Sequence, residues 1–240
     1  YTTRNTLSLH DALPIFEAQR EFIADAAHEL RTPLTALTLQ VQLAERADDA
    51  ASRAEAFAEL KGGLQRATHS VQQLLTLARQ EPGGGERPLA AVNLAELAAQ
   101  VIADHLLLAE ARQIDLGAIP SAGACVVRGE RDALRILLGN LVSNALCYTP
   151  PGGKVDLATG QDEVGPFIEV CDSGPGIPLE DRERVFDRFY RRGQAGGPGS
   201  GLGLAIVKTI ADRHQARVVL DDSRLGGLRA RVEFPPAGSS

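Results

Sequence analysis

Phe22-Ile23-Ala24-Asp25-Ala26-Ala27-His28-Glu29-Leu30-Arg31-Thr32-Pro33-Leu34 is the stretch whose reading decides the architecture. Apolar side chains recur at Ile23, Ala27, Leu30, Leu34, Leu37, Val41 and Ala44 in alternating steps of four and three, the seam of a helix packed in a bundle. His28 falls one residue past a seam position, at the edge of that face, with Thr32 one turn further along the same side. A histidine there is reachable, as a nucleophile must be. Pro33 removes a backbone donor and crowds the carbonyl of Glu29, so a kink or loosened turn is expected beside the histidine. Taken alone, a helical histidine is most often a solvated or capping side chain; what lies downstream gives this one its weight.

Working outward, the first helix is expected over about residues 16–47 and a short turn at Asp48-Asp49. Ser52-Arg53-Ala54-Glu55 reads as a capping box that starts a second helix over 52–80. That helix repeats the spacing through Phe57, Leu60, Leu64, Ala67, Val71, Leu74 and Ala78. Two helices with matching seams and a short connection make an antiparallel hairpin, which cannot bury both seams alone. A homodimer through helices 16–47 and 52–80, closing a four-helix bundle, is the expected completion. Gly62-Gly63 falls off the seam and costs about 1 kcal/mol per glycine relative to alanine, a soft spot without a chemical role.

Glu81-Pro82-Gly83-Gly84-Gly85-Glu86-Arg87-Pro88 breaks the helical pattern and reads as a linker, assigned to 81–92, between a helical domain at 16–80 and a second domain at 93–236, with a tail at 237–240. The second domain alternates helices near Asn93–Arg112, Glu130–Tyr148 and Leu202–His214 with strands near 114–116, 125–128, 154–159, 167–171, 216–221 and 228–234. The fold class is α+β: a helical hairpin followed by an α/β sandwich.

At 240 residues the chain can build one or two cores, and its net charge of -6 argues against a general nucleic-acid binder. Cys125, Cys147 and Cys171 lack metal-ligand spacing and are odd in number, so reduced thiols are the default. No apolar run approaches membrane-spanning length. Thr6-Leu7-Ser8-Leu9-His10-Asp11-Ala12-Leu13-Pro14-Ile15 back-translates as ACT CTT TCC CTA CAC GAC GCT CTT CCG ATC, a common sequencing-adaptor oligonucleotide. Residues 1–15 are therefore expected to be non-native, with native sequence from Phe16 and any membrane anchor and sensor lost with the missing N-terminal region. The remaining cytoplasmic portion would be soluble.

Chemistry-bearing residues concentrate in the second domain. Asp172-Ser173-Gly174-Pro175-Gly176-Ile177-Pro178 follows a buried-looking strand and offers a carboxylate acceptor beside a backbone that a ligand can approach closely. Gly199-Ser200-Gly201-Leu202-Gly203-Leu204 opens a helix, where N–H groups and the helix dipole suit phosphate oxygens. Asn140 and Asn144 stand i,i+4 on one helix, so both amides can face one cleft, and an amide oxygen is a suitable hard ligand for Mg²⁺. Neither the P-loop nor the protein-kinase pattern is present.

The order His28 box, Asn140…Asn144, Asp172…Gly176, Phe186…Phe189 and Gly201…Gly203 resembles the sensor histidine kinases of two-component systems, from the phosphoacceptor box to the N, first glycine, F and second glycine boxes. The catalytic domain of that family shares its ATP-binding fold with gyrase and the Hsp90 chaperones. The resemblance runs from Phe16 to Phe234. It implies that Asn144 coordinates Mg²⁺ with Asn140 on the phosphate side, that Asp172 accepts from the adenine amino group, and that Tyr148 packs near the base. Gly174 and Gly176 would shape the pocket, Gly201 and Gly203 would contact phosphates, and Pro175–Ser200 would be an ATP lid anchored by Phe186 and Phe189. Arg188 and Arg191 are the candidates for γ-phosphate charge stabilisation. One departure stands out: relatives often carry a basic side chain three residues after Asn144, where this chain has Cys147, with Arg188 as a candidate to compensate. His69, His105 and His214 are expected to be structural or surface residues.

What the resemblance implies is ATP-dependent phosphorylation of His28, with Glu29 as general base, followed by transfer to a response regulator aspartate. Thr32 resembles the family residue that positions water for dephosphorylating the regulator. Two rivals stay open: an ATPase of the same fold that only drives domain closure, and a dimeric scaffold that binds nucleotide without transferring phosphate.

Overall fold

The computed structural model describes residues 26, 27, 30, 31, 33–47, 49–80, 89–119, 125–191 and 200–236. His28, Glu29 and Thr32, with residues 1–15, the kink expected beside Pro33, most of the linker and the tail, lie outside the described residues. The chain divides into two compact units, up to Leu75 and from Thr76 onward.

The first unit contains helix α1 (33–45) and most of helix α2 (Ala50–Gln80). Gln40 Nε2 donates to Glu59 Oε2 at 3.0 Å. Those two positions lie equally far from the turn at 49–50, as an antiparallel hairpin requires. The start of α2 differs from the expected capping box. Asp49 caps it: its Oδ1 accepts from the N–H groups of Ala51 and Ser52, both at 2.8 Å, and its Oδ2 from the Ser52 hydroxyl. A carboxylate outcompetes a hydroxyl here because it brings negative charge to the positive end of the helix. Ala44, Ala67 and Leu74 are buried, while Leu34 and Val41 on α1 and Phe57, Leu64 and Val71 on α2 are exposed, each set recurring every seventh residue.

The second unit is built on a mixed sheet ordered β2-β4-β5-β7-β6: β2 (Asp115–Ile119), β4 (Lys154–Gln161), β5 (Pro166–Asp172), β6 (Arg217–Asp222) and β7 (Leu228–Glu233). Only the β2–β4 pairing is parallel. β1 (Ala90–Asn93) and β3 (Val126–Gly129) form a separate antiparallel pair. Residues 90–92, counted with the linker from sequence, thus belong to a strand. Helices α3 (Leu94–Ala111), α4 (Arg131–Tyr148) and α5 (Gly203–Arg213) pack over one face of the sheet.

Strand alternation explains why that face is dry: Val155, Leu157, Ile168, Val170, Ala230 and Val232 meet Leu134, Leu137, Leu138, Ile206 and Ile210 in one apolar core. The opposite face carries Asp156, Glu169, Arg229 and Arg231. Arg231 is buried by lying over the Phe167 ring at 3.7 Å while pairing with Glu169, Glu233 and Asp162. His214 bolts the end of α5 to the start of α4. Its Nε2 accepts from the Glu130 N–H at 3.0 Å and its Nδ1 donates to Ile210 O at 2.7 Å, the structural role expected of it.

Candidate functional site

α4 carries two of the expected residues on one side. Asn140 donates to Ile136 O at 2.8 Å, which orients its amide, and a Cβ placed on Gly203 would lie 3.0 Å from Asn144 Oδ1 and 3.4 Å from Asn140 Oδ1. The first residue of α5 therefore sits directly against both amides. A side chain there would press on the Asn pair, whose amides would have to give by a few tenths of an ångström. Among the described residues, the Leu202 side chain makes no capping bond at the start of α5, while the Leu202 N–H itself donates to Ser200 Oγ at 3.2 Å.

Asp172 ends β5 and is buried. Its Oδ1 accepts from the N–H of Gly174 at 2.8 Å and of Leu228 at 3.0 Å. Oδ2 has no hydrogen-bond partner among the described residues. Burial pushes the carboxyl pKa up, and the two N–H donors pull it back only in part. Sequence reasoning missed the second supplier of these donors. The turn between β6 and β7 presents Gly227, whose N–H reaches Asp172 O at 3.1 Å and whose missing Cβ would fall 2.2 Å from Asp172 Oδ1. The Gly226-Gly227 pair was the available signal, but it lies too far along the chain for any spacing rule.

The segment after Gly176 is tied down at several points. Gly176 adopts φ 68°, and Phe189 and Gly201 adopt φ 63° and 73°. The Phe189 N–H donates to Gly201 O at 3.0 Å, which ties a residue inside the expected lid to the residue just past its C-terminal end. Phe186 and Phe189 are half-buried, and the turn Arg184–Phe186 packs against α5, as lid anchors would. Arg188 is exposed and Arg191 half-buried.

At the C-terminal end of α4, Tyr148 is half exposed. Cys147 is half-buried, and burial raises its pKa, which keeps a neutral thiol, against the opposing charges of Arg112 and Arg191. The Arg112 side chain also covers the last turn of α4, donating to the carbonyls of Leu146 at 2.9 Å and Cys147 at 3.1 Å. Among the described residues, Arg112 and Arg191 act electrostatically on Cys147.

Asn140, Asn144, Tyr148, Asp172, Gly174, Gly201 and Gly203 all fall within the second unit, and the contacts join them in groups: Gly203 to both asparagines, Gly174 to Asp172 and to the backbone of Tyr148. A nucleotide fits these groups on two counts: an oriented buried carboxylate with one unused oxygen, and a helix start whose only side chain is a hydrogen beside two amides.

Residues 129–238 match the family described as histidine kinase-, DNA gyrase B-, and HSP90-like ATPase, and residues 18–83 match the His Kinase A (phospho-acceptor) domain. The chain is 38% identical over 217 residues to the sensor protein QseC of Escherichia coli strain K12, covering 90% of this chain and 47% of that protein. It is 36% identical over 221 residues to the sensor protein kinase PmrB of Pseudomonas aeruginosa, covering 91% and 46%. It spans about half the length of the curated relatives it matches. Among solved structures, the mycobacterial sensor histidine kinase MprB aligns with a TM-score of 0.53 at 29% identity, covering 61% of this chain and 97% of that one.

Proposed function

The chain belongs to the sensor histidine kinases of two-component systems, and we propose that it transfers the γ-phosphoryl group of ATP to His28 and then to an aspartate of a response regulator. The observation that carries the proposal is the seating of Gly203 against Asn140 and Asn144, in the same unit as the oriented carboxylate of Asp172. Asp172 Oδ2 would accept from the adenine amino group, Tyr148 would cover the base, and the N–H groups around Gly201 and Gly203 would receive phosphate oxygens. Gly174 and Gly176 would let the backbone pass close to the ligand.

Among the described residues no cluster of three His, Cys, Asp or Glu is arranged for a metal ion. Mg²⁺ would instead be held by Asn144 together with substrate phosphates, and it supplies neutralisation of phosphate charge. Arg188 and Arg191 would balance the charge that develops on the transferred group, since this chemistry is mostly positioning and electrostatics.

In the transfer, a lone pair on an imidazole nitrogen of His28 attacks phosphorus, the bond to the bridging oxygen breaks, ADP leaves, and Glu29 takes the imidazole proton. Neutral imidazole is available near pH 7 because its unperturbed pKa is about 6.5. Thr32 would position a water for the reverse duty of dephosphorylating the regulator. The hairpin would act as a homodimer, with the exposed seventh-residue stripes at Leu34, Val41, Phe57, Leu64 and Val71 covered by a second copy. The part of the protein beyond this chain would carry the sensor and a membrane anchor, with this portion on the cytoplasmic side.

Incubation with labelled ATP tests the assignment. Wild type is expected to acquire acid-labile label and His28→Ala none; label persisting in the variant overturns the role of His28. Asn144→Ala should lose labelling while the dimer remains, and unchanged labelling would remove its Mg²⁺ role.

A further inference from the structure

The segment between Pro178 and Arg191 contains more fixed contacts than a simple lid needs. Arg182 is almost covered: its Nε donates to Ile177 O at 3.0 Å, one Nη to Leu220 O on β6 at 3.2 Å, and the other pairs with Asp222, with Asp221 also within 3.7 Å. A guanidinium forked in this way fixes direction as well as distance. The adjacent Asp181 accepts from the Tyr190 hydroxyl at 2.8 Å, and Arg184 stacks 4.6 Å above the Tyr190 ring.

One residue before Tyr190, Phe189 is held in the left-handed region by its bond to Gly201, where an added Cβ would lie 2.7 Å from the Phe189 backbone. Such a conformation persists only when its surroundings over-determine it. Tyr190 is thus tied from its side chain and its backbone, and the next residue is Arg191. Arg191 is half-buried, and its charge acts on Cys147 and Tyr148 at the end of α4.

We propose that Arg182, Asp181 and Tyr190 form a clamp, anchored on β6, that positions the adjacent Arg191 as a cation of the nucleotide site. Position 147 itself supplies no positive charge there, because a cysteine side chain is neutral as a thiol and negative as a thiolate. Arg191 delivers that charge from a remote part of the sequence, and Asp181, Arg182 and Tyr190 are positioning residues for it. The inference rests on the nucleotide-site reading above, and it adds a device that the motif pattern does not contain.

The test uses the full chain and two readouts: displacement of a fluorescent ATP analogue, and the KM for ATP in His28 labelling. Arg191→Gln should weaken nucleotide binding and raise KM. Tyr190→Phe removes one hydroxyl and keeps the ring under Arg184; it should weaken binding about 3- to 10-fold, the range expected for loss of one ordinary hydrogen bond. Asp181→Ala should reproduce that loss, and Asp181→Asn, which keeps an acceptor oxygen, should recover most of it.

The decisive variant is Tyr190→Phe combined with Arg191→Gln. If the clamp acts through Arg191, the double variant binds no more weakly than Arg191→Gln alone. Additive losses, or Tyr190→Phe binding like wild type in a chain with unchanged melting, overturn the clamp. If wild type binds the analogue but never labels His28, phosphoryl transfer fails as a reading while binding still decides the clamp. If wild type does not bind the analogue at all, both fall.

Discussion

In the second unit Leu134, Leu137, Leu138 and Ile210 have no exposed surface and Ile206 only 1%, whereas in the hairpin Leu34, Phe57 and Leu64 remain 58%, 55% and 58% exposed. Both regions are rich in apolar residues, and they differ in how many layers cover them. The sandwich closes its core within one chain, between three helices and a sheet. Two helices have no third layer, so half of each seam faces water. Stability should therefore be intrinsic to the sandwich and concentration-dependent in the hairpin.

The largest expected effect breaks the sandwich. Leu137→Ala should cost about 2–5 kcal/mol, seen as a lowered unfolding midpoint that does not depend on protein concentration. A loss well under 1 kcal/mol would mean that the core is not closed as described. Next comes the hairpin: Phe57→Glu with Leu64→Glu should weaken self-association by about 10- to 100-fold, as loss of interface anchors does, and leave nucleotide binding intact. Sedimentation at several concentrations checks this, and an unaltered dimer would place the interface elsewhere.

Smaller and of opposite sign are two carboxylates, one in each unit. Asp172 has a raised pKa, chiefly from burial, so its favourable contribution is present below the unfolded pKa and lost as pH rises through the folded one. Asp172→Asn should then be at least as thermally stable as wild type near pH 7, with the advantage shrinking as pH falls toward about 3.9, while nucleotide affinity is lost. A variant clearly less stable than wild type at neutral pH would show that the N–H donors outweigh burial. Asp49 has a lowered pKa, chiefly from the Ser52 N–H, so its capping contribution is present above the unfolded pKa and disappears as pH falls through the folded one. Asp49→Ala should give a small loss of helical signal at neutral pH that vanishes in acid; an equal loss at both pH values would exclude the carboxylate as the cap.

The elements of the sandwich were legible from sequence to within a few residues, because strand alternation and helical spacing are local signals. Asn140 and Asn144 were readable as a pair from their i,i+4 spacing, and Asp172 and Gly203 as members of short glycine-rich stretches; the family resemblance is what joined them. Elsewhere the signal was nonlocal or too weak. β1 is four residues long, two of them alanines, and exists only through pairing with β3. Asp49 and Ser52 are both good caps by residue type, and only the backbone path decides between them. Arg112 reaches the end of α4 across 34 and 35 residues, so no spacing rule marks it.

Both donors to the Asp172 carboxylate are main-chain N–H groups, one just after β5 and one at the first residue of β7. This pocket wall is thus specified by the path of the chain. Leu228 can drift to any residue that keeps β7 paired, because what it contributes belongs to every residue except proline. The mutational burden falls instead on Gly174 and Gly227, where a single methyl group would intrude on the carboxylate. Transplanting this wall to another scaffold would mean reproducing a hairpin's position and two absent side chains, with the aspartate as the side chain to copy.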